Sequence, residues 1–488
     1  MKLIRRIADL AGVTMFVGLA ACTSGPDYHK PEAPVPAQWQ SATSSDLSGL
    51  STLFKPGVPN DADVKGNWWE VFGDPVLSQL EQQALLKNQS LISAIEHLNM
   101  ARAQVDVSSA GLFPQIGLQA GPSRSKISAD RPLAAYNTVN QSTVQTNQQL
   151  GFTVNYEADL FGRVSRVLES AHAQAEQASA DLENTRLVLM TELAGDYVNL
   201  RELDQEIFVI QQGIILQQNA LNYIQNRHDL GVASGLDLAQ QQAVLDANRT
   251  QLELIRNQRV SYLHAMATMT GVPAPGFDIT PNVAGLGALA VPALPVGVPS
   301  DVLQRRPDIA SAERAMAVAN AAVGIAHAAY YPTILLQANG GWDSTGLSTL
   351  FSAPSLLWSL GASLTQTVFD GGKTSAGVKI AEAGYLATVA NYRQNVLVAL
   401  QEVANGMDAA ALLGRASANA DASVVSATRV LDLANDRYTG GLAPYLDVVT
   451  AQQALLTNQR QSVQITGQRL LNTVYLIKAL GGGWHKKG

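Results

Sequence analysis

Histidines and a single cysteine are the residues of this 488-residue sequence best suited to metal binding or nucleophilic chemistry. One cysteine excludes a disulfide framework and a cysteine-based zinc site. No nucleophile–base arrangement is recognisable. We therefore predict that the protein is not an enzyme and that it has no metal site and no cofactor. The seven histidines are not at the spacing of helical metal ligands: His29, His97, His172, His228, His264, His327 and His485.

Two charged motifs have structural interpretations. Gly372-Lys373-Thr374 matches the end of a phosphate-binding loop, but its upstream glycine is replaced by Thr367, so we interpret the region as a strand-to-helix turn. Arg305-Arg306-Pro307-Asp308 predicts an ion pair at a helix start. With Lys+Arg 33 against Asp+Glu 40, the net charge of −7 argues against a nucleic-acid partner.

The cysteine follows a basic and then apolar stretch, typical of a signal peptide over residues 1–21. Leu19-Ala20-Ala21-Cys22 resembles the bacterial lipoprotein box, which implies cleavage before Cys22 and a covalent lipid on it; a free cysteine is the alternative. Thr23 replaces the aspartate typical of inner-membrane lipoproteins, so the anchor is expected in the outer membrane. Residues 22–66, rich in Pro and Ser, predict an extended tether and not a packed element.

The proline distribution predicts where long helices lie. No proline occurs between Pro132 and Pro273, and only Pro444 follows Pro354. Because an interior proline costs a helix ~3 kcal/mol, both stretches favour long helices.

Within the first stretch, apolar residues recur in a heptad pattern from Leu189 to Ile224, with Asp196 and Gln217 at two seam positions. A helix from Gly162 to about Leu230 would be ~100 Å long. We therefore expect it to protrude and to pack against neighbours.

Elsewhere the apolar residues alternate with polar ones, which predicts two pairs of strands. Each strand is about ten residues long, the length of a tilted transmembrane β-strand. The predicted strands are residues 114–122, 149–160, 332–340 and 358–369.

The sequence is a tandem duplication. The first repeat is predicted at 67–283, with long helices to about 271, and the second at 284–483, with helices to about 480, followed by a 484–488 tail. A constant shift of 210 residues aligns three chemically similar pairs: Arg227 with Arg437, Gly231 with Gly441, and Asp237 with Asp447.

Four strands are too few to close a barrel, and lipid does not tolerate an open sheet edge. The predicted fold is therefore mainly α with a β-barrel part completed by other copies of the chain. Three copies give twelve strands and a lumen, whereas the eight strands of two copies would fill their own interior with side chains. A tetramer is the remaining alternative.

The sequence resembles the TolC-like outer-membrane factors, in the lipoprotein branch called NodT-like, from Cys22 to about Gly483. The motifs that carry the resemblance are Trp68-Trp69-Glu70-Val71-Phe72-Gly73-Asp74-Pro75, Leu303-Gln304-Arg305-Arg306-Pro307-Asp308-Ile309, and the two turns that begin at Arg227 and Arg437.

This resemblance implies a homotrimer with a twelve-stranded transmembrane β-barrel and a long α-helical barrel extending into the periplasm of a Gram-negative cell. Its implied function is a passive exit duct for small toxic solutes, serving a tripartite efflux pump. The implied partners are a periplasmic adaptor, an inner-membrane pump and outer-membrane lipid. The alternatives are a duct for a type I protein secretion system, or a structural coiled-coil lipoprotein of the envelope.

The resemblance also implies a gate at the narrow periplasmic end. Asp447 would contribute to an aspartate ring on the threefold axis, which binds cations, and Tyr438 to the bonds that keep this end shut. The family's second aspartate and tip arginine are Thr450 and Ala443 here. The helix-turn tips, expected to contact the adaptor or form the gate, include Arg227, Gly231, Asp237, Arg437 and Gly441.

Overall fold

The computed structural model describes residues 24–32, 35–36, 54–55, 66–130, 142–289, 294–295 and 305–482. Cys22 and the signal-peptide region lie outside the described residues. Two compact units divide the chain: a first unit of residues 1–31, 99–177 and 313–391, and a second of residues 32–98, 178–312 and 392–488.

Helices dominate the described chain, and the two longest lie in the stretches that lack interior proline. Both have 67 residues, and each is followed by a 35-residue helix. The described α-helices of more than four residues are α1 Pro75–Lys87, α2 Gln89–Ser109, α3 Arg163–Asp229, α4 Gly235–Met269, α5 Pro307–Ala328, α6 Lys373–Thr439 and α7 Tyr445–Ala479.

Four antiparallel strands form the sheet of the first unit, in chain order β1-β2-β3-β4. Strand β1 continues past the predicted end at residue 122, because its pairing with β2 extends through Pro122 as far as Ile127. Strand β4 stops before the predicted residue 369, ahead of the turn that caps α6. The strands are β1 Gln115–Ile127, β2 Thr143–Ala158, β3 Thr333–Ser344 and β4 Leu356–Thr365.

The sheet has one apolar and one polar face. Its register aligns Ile116 with Val154, Val154 with Ala338, and Ala338 with Leu360, so the apolar alternations of all four strands share a face. The apolar face includes Leu118, Leu150, Phe152, Leu336, Trp342, Leu356, Trp358 and Leu364. The opposite face includes Gln115, Gln119, Gln149, Asn155, Gln337, Asn339 and Ser359.

Matching aspartates begin the long helices that follow β2 and β4. The Asp159 carboxylate accepts hydrogen bonds from the backbone N–H groups of Val164 (3.0 Å) and Ser165 (2.7 Å). Asp370 likewise accepts from the backbone N–H groups of Gly372 (2.8 Å) and Thr374 (2.7 Å). Bonds from the Thr374 hydroxyl and backbone lower the pKa of Asp370 to about 2. The glycine–lysine–threonine motif is thus part of a helix start.

Part of the predicted 22–66 tether contacts the helices, although most of the tether lies outside the described residues. Residues 24–32 have no regular secondary structure, but Arg166 binds them through the carbonyl oxygen of Ser24 (3.2 Å) and the carboxylate of Asp27 (2.9 Å). The Asn320 amide donates to the carbonyl oxygen of Pro26 at 2.9 Å. A proline-rich segment has few internal hydrogen bonds, so side chains of α3 and α5 can satisfy its carbonyl groups.

The heptad seam of the second unit is buried or partly buried along its length, including its two polar positions. Gln217 is 2% exposed. Asp196 is partly buried, and burial together with Glu192 raises the pKa of Asp196 to about 6. At the start of α5, Arg306 forms the predicted ion pair with Asp308 at 2.7 Å and a second one with Glu402.

A charge network centred on Asp204 is buried in the second unit. Its carboxylate accepts hydrogen bonds from Arg201 (2.9 Å), Arg259 (2.6 Å) and the backbone N–H of Asn282 (3.1 Å). The Asp204 side chain has no exposed surface. The Asp204 carboxylate therefore balances the charges of two guanidinium groups that are mostly shielded from water.

Glu81 on α1 is a buried acid. It is 0% exposed, and neither carboxylate oxygen has a hydrogen-bond partner within the described part of the chain. Burial raises the pKa of Glu81 well above its ordinary value. The folded protein therefore holds a proton that the unfolded chain releases.

We predict that Glu81 lowers stability as pH rises above about 4.3, the ordinary glutamate pKa, because the unfolded chain then binds fewer protons than the folded one. Glu81→Gln should flatten this slope and leave the protein more stable than wild type at pH 8. Thermal unfolding of the purified protein from pH 4 to pH 8 measures it. Glu253→Gln, an exposed α4 variant, serves as the control; an unchanged slope in Glu81→Gln would contradict the prediction.

Candidate functional site

The turn between α3 and α4 is closed by backbone hydrogen bonds. Gly231 has a φ of 74°, which ends α3 in the left-handed conformation that favours glycine. The backbone N–H of Val232 donates to the carbonyl oxygen of Arg227 at 2.8 Å. Ser234 then begins α4 in a capping box, in which the Asp237 carboxylate accepts from the Ser234 N–H at 3.2 Å. Asp237 therefore has a structural role.

The turn between α6 and α7 repeats this backbone but not the cap. Gly441 has a φ of 75°, and the Leu442 N–H donates to the carbonyl oxygen of Arg437 at 2.8 Å. Pro444 occupies the N-cap position and offers no side-chain acceptor. Asp447 is exposed, and its carboxylate makes no hydrogen bond or ion pair with any residue that the structure describes. Unlike Asp237, this carboxylate is available.

Arg227 links the two turns. Its guanidinium carbon lies 5.2 Å from the ring centroid of Tyr438 and 5.8 Å from that of Tyr223, within the range of cation–π contacts. The Tyr438 ring contacts Tyr445, with centroids 5.1 Å apart. Burial raises the pKa of Tyr438, although Arg227 opposes this shift. Two predicted site residues, Arg227 and Tyr438, are thus in contact.

A buried network of neutral side chains lies beside this contact. The Tyr445 hydroxyl donates to the Gln241 amide oxygen at 2.7 Å, and the Gln241 amide donates to the carbonyl oxygen of Gln217 at 3.0 Å. Asn248 donates to the side-chain oxygen of Gln217 at 2.9 Å. The network connects α3 and α4 to the start of α7. An apolar cluster that includes Ile224, Val448 and Val449 surrounds Tyr445.

Sequence reasoning missed Gln241, Asn248 and Tyr445. Gln217 is a polar residue within an apolar heptad seam, and a buried polar side chain needs a hydrogen-bond partner. Its position was the one sequence feature that indicated such a partner. Gln217 and Gln241 correspond to Ala427 and Ala451 at the 210-residue shift, so the second repeat has no equivalent of this glutamine pair. Arg437, the repeat equivalent of Arg227, is exposed, and its side chain has no ring or carboxylate partner in the described ranges.

The tips thus combine two features. Hydrogen-bonding and ring contacts hold one helix pair to the other, and an exposed carboxylate lies one turn away at the start of α7. Such an arrangement holds or releases helices and attracts cations; it contains no group positioned for bond-making chemistry.

Comparison with known proteins identifies the family. The model of the outer membrane efflux protein family matches residues 80–272 and 298–482. The chain belongs to the outer membrane efflux protein family. It is thus an outer-membrane channel component of an efflux pump, a transport duct.

Relatives and solved structures of this efflux family match nearly the whole chain. The antibiotic efflux pump outer membrane protein ArpC of Pseudomonas putida is 31% identical over 97% of this chain and 95% of its own length. The outer-membrane channel OprN is 29% identical, with a TM-score of 0.85 over 95% of this chain and 100% of its own. The open-state MtrE channel of Neisseria gonorrhoeae is 26% identical, with a TM-score of 0.81 over 95% of this chain and 98% of its own.

Proposed function

We propose that three copies of this chain form a twelve-stranded barrel in the outer membrane. The observation that carries this proposal is the four-stranded sheet, with one apolar face, one polar face and two edge strands, β1 and β4. Because backbone groups cannot remain unpaired in lipid, β1 of one copy must pair with β4 of the next. The apolar face then contacts lipid and the polar face lines a water-filled lumen.

The surface of helix α6 also favours an oligomer. One 18-residue window of α6 is apolar enough to cross a membrane, yet only 22% of it is buried within a single chain. Large apolar side chains are exposed along α6, among them Ile380, Leu386, Val425 and Leu433. Covering such a surface with neighbouring copies stabilises the assembly by ~25 cal/mol per Å² of apolar area. The helices would then surround a duct reaching into the periplasm.

The trimer would act as a passive exit duct for small toxic solutes, working with a periplasmic adaptor and an energised inner-membrane pump. Support for this cargo comes from ArpC, whose name describes antibiotic efflux. Deleting the gene should lower the inhibitory concentration of several unrelated apolar toxicants, and expression of the wild-type chain should restore it. Unchanged susceptibility across the panel, together with loss of secretion of a protein, would overturn this cargo assignment in favour of protein export.

We also propose a lipid on Cys22. The backbone N–H of Ser24 donates to the carbonyl oxygen of Phe161 at 3.3 Å, just after strand β2 ends. Residue 24 therefore lies at the helix-bearing end of the sheet, the end that faces the periplasmic leaflet in this orientation. Cells fed radioactive palmitate should label the wild-type protein and not a Cys22→Ser variant; equal labelling would exclude this anchor.

The proposed gate is the pair of turns. Contacts of Arg227 with Tyr438 and of Tyr445 with Gln241 would keep the helix pairs together, and the duct shut, until the pump assembles. Three copies of Asp447 around a threefold axis would form a cation-binding constriction. The structure of the MtrE channel in an open state supports a duct with more than one state.

Asp447→Ala should leave the trimer folded but raise its single-channel conductance or abolish its block by multivalent cations, because the ring would lose three negative charges. Planar-bilayer recordings with and without hexaamminecobalt measure both quantities. The matched control is Asp237→Ala, which removes the carboxylate of the Ser234 capping box and should keep the block. Identical block in wild type and Asp447→Ala would remove Asp447 from the gate.

A further inference from the structure

The apolar face of the sheet carries charged residues at only one place among the described strand residues. Of the even-numbered positions that form this face on β1 to β4, only Arg124 and Lys126 are charged, and both are cations. Both side chains are exposed. Their neighbours across the β1–β2 pair are Thr146 and Val144, which are neutral.

The height of these two residues along the strand is defined by the register. Ala120 lies on the same rung as Leu150 and Trp342, the last rung of apolar residues before the hairpin loops. Arg124 is four residues further, which is ~14 Å along the strand at 3.4 Å per residue and ~10 Å in height at a 45° tilt. The rung at Ala120 marks the edge of the hydrocarbon region, so Arg124 reaches the headgroup layer beyond it.

Aromatic side chains mark the same boundary. Trp342 contacts Phe351 edge-to-face with ring centroids 5.5 Å apart, and Trp358 on the neighbouring rung is 73% exposed. Tryptophan rings at both rims of the apolar band are characteristic of transmembrane barrels, where they lie at headgroup level. The two cations therefore begin where the lipid headgroups begin.

This end of the sheet is the outer end. The helices join the strands at the opposite end, and the strand ends at Ile127, Thr143, Ser344 and Leu356 lie here. With the helices in the periplasm, as the proposed function requires, the loops face the cell exterior. The described acidic groups near this end are Asp130 in the loop and Asp343 on the polar face, so neither lies on the lipid-facing surface.

We propose that Arg124 and Lys126 form a docking surface for the phosphate groups of the anionic glycolipid in the outer leaflet. Arginine presents a planar set of donors that fits a phosphate in a bidentate manner, and lysine adds a compact charge on a flexible stem that can bend toward the headgroups. Three protomers supply six such cations around the rim. This inference rests on the membrane orientation in the proposed function.

The test uses the purified full-length trimer in detergent, titrated with diphosphoryl lipid A or with the same lipid stripped of both phosphates. Native mass spectrometry counts the lipids bound to each trimer. We expect the phosphorylated lipid to bind and an Arg124→Gln/Lys126→Gln variant to bind it roughly tenfold or more weakly, since each cation near an anionic surface contributes about a fivefold factor. A Lys379→Gln variant, altered at an exposed position on α6, should bind like wild type.

Two results would overturn the docking surface: equal binding of the lipid without phosphates, or unchanged affinity in the double variant. Conductance of the same samples separates this failure from failure of the duct. If the trimers conduct but bind lipid A equally well without Arg124 and Lys126, only the docking surface is rejected. If the chains neither trimerise nor conduct, the proposed function itself is rejected.

Discussion

Cells that produce the Arg227→Ala/Tyr445→Phe variant should become sensitive to vancomycin, an antibiotic too bulky to pass the closed outer membrane. Arg227→Ala removes the cation from between the rings of Tyr223 and Tyr438. Tyr445→Phe leaves the buried amide oxygen of Gln241 without its donor, which costs ~1–3 kcal/mol in the closed state. In an open state water hydrates that oxygen, so the open population rises by roughly 5–150-fold.

Matched variants separate gating from misfolding. Arg437→Ala alters the equivalent arginine of the second repeat, which contacts no ring in the described chain, and should leave vancomycin resistance intact. Tyr438→Phe keeps the ring and should behave like wild type. If the double variant assembles at normal levels in the outer membrane and the cells remain resistant, these contacts do not hold the duct shut.

Asp204→Ala should cause the largest loss of stability of any single substitution considered. It leaves Arg201 and Arg259 buried without their shared carboxylate, with side chains that are only 2% and 12% exposed. Removing one partner of a buried ion pair costs ~3–5 kcal/mol, because the remaining buried charges lose the carboxylate that balances them. At roughly 2.1 cal/mol/K of unfolding entropy per residue, this corresponds to a fall of about 3–5 °C in the unfolding midpoint.

Circular dichroism at 222 nm during heating of the purified protein measures this midpoint. The control is Asp246→Ala, which removes the partner of Arg249 on the exposed side of α4, where the side chains are 57% and 50% exposed. A surface pair contributes ~0–1 kcal/mol, so the control should unfold close to wild type. Equal midpoints for Asp204→Ala and Asp246→Ala would show that the buried network is not needed for stability.

The long helices were predictable because their signal is repeated many times. The heptad pattern and the missing prolines predicted a helix from Gly162 to about Leu230, and α3 spans Arg163–Asp229. The strand ends were less predictable, because the alternation of apolar and polar residues does not end where the backbone pairing of the strands ends. Pairing with β2 extended β1 beyond Pro122, whereas the Asp370 cap favoured a turn over more strand at the end of β4.

Contacts between residues distant in sequence were not predictable from local pattern. The sequence around Arg166 gives no indication that Arg166 binds Asp27, which is 139 positions away. The proline-rich segment was therefore predicted as a tether, although its first residues lie against helices. Likewise, Tyr445 and Gln241 are 204 positions apart, and their hydrogen bond depends on how two helix pairs meet. By contrast, Arg227 and Tyr438 were identified separately as site residues, and their contact emerged only from the fold.

Single-channel recording from the purified wild-type trimer and the Arg227→Ala/Tyr445→Phe variant in planar bilayers tests the central claim most directly. We expect the wild type to insert as a channel of low, steady conductance, and the variant to conduct several-fold more because its periplasmic end is released. Absence of any channel from intact trimers, or identical conductance in both proteins, would contradict a passive outer-membrane duct closed at its helix-turn tips.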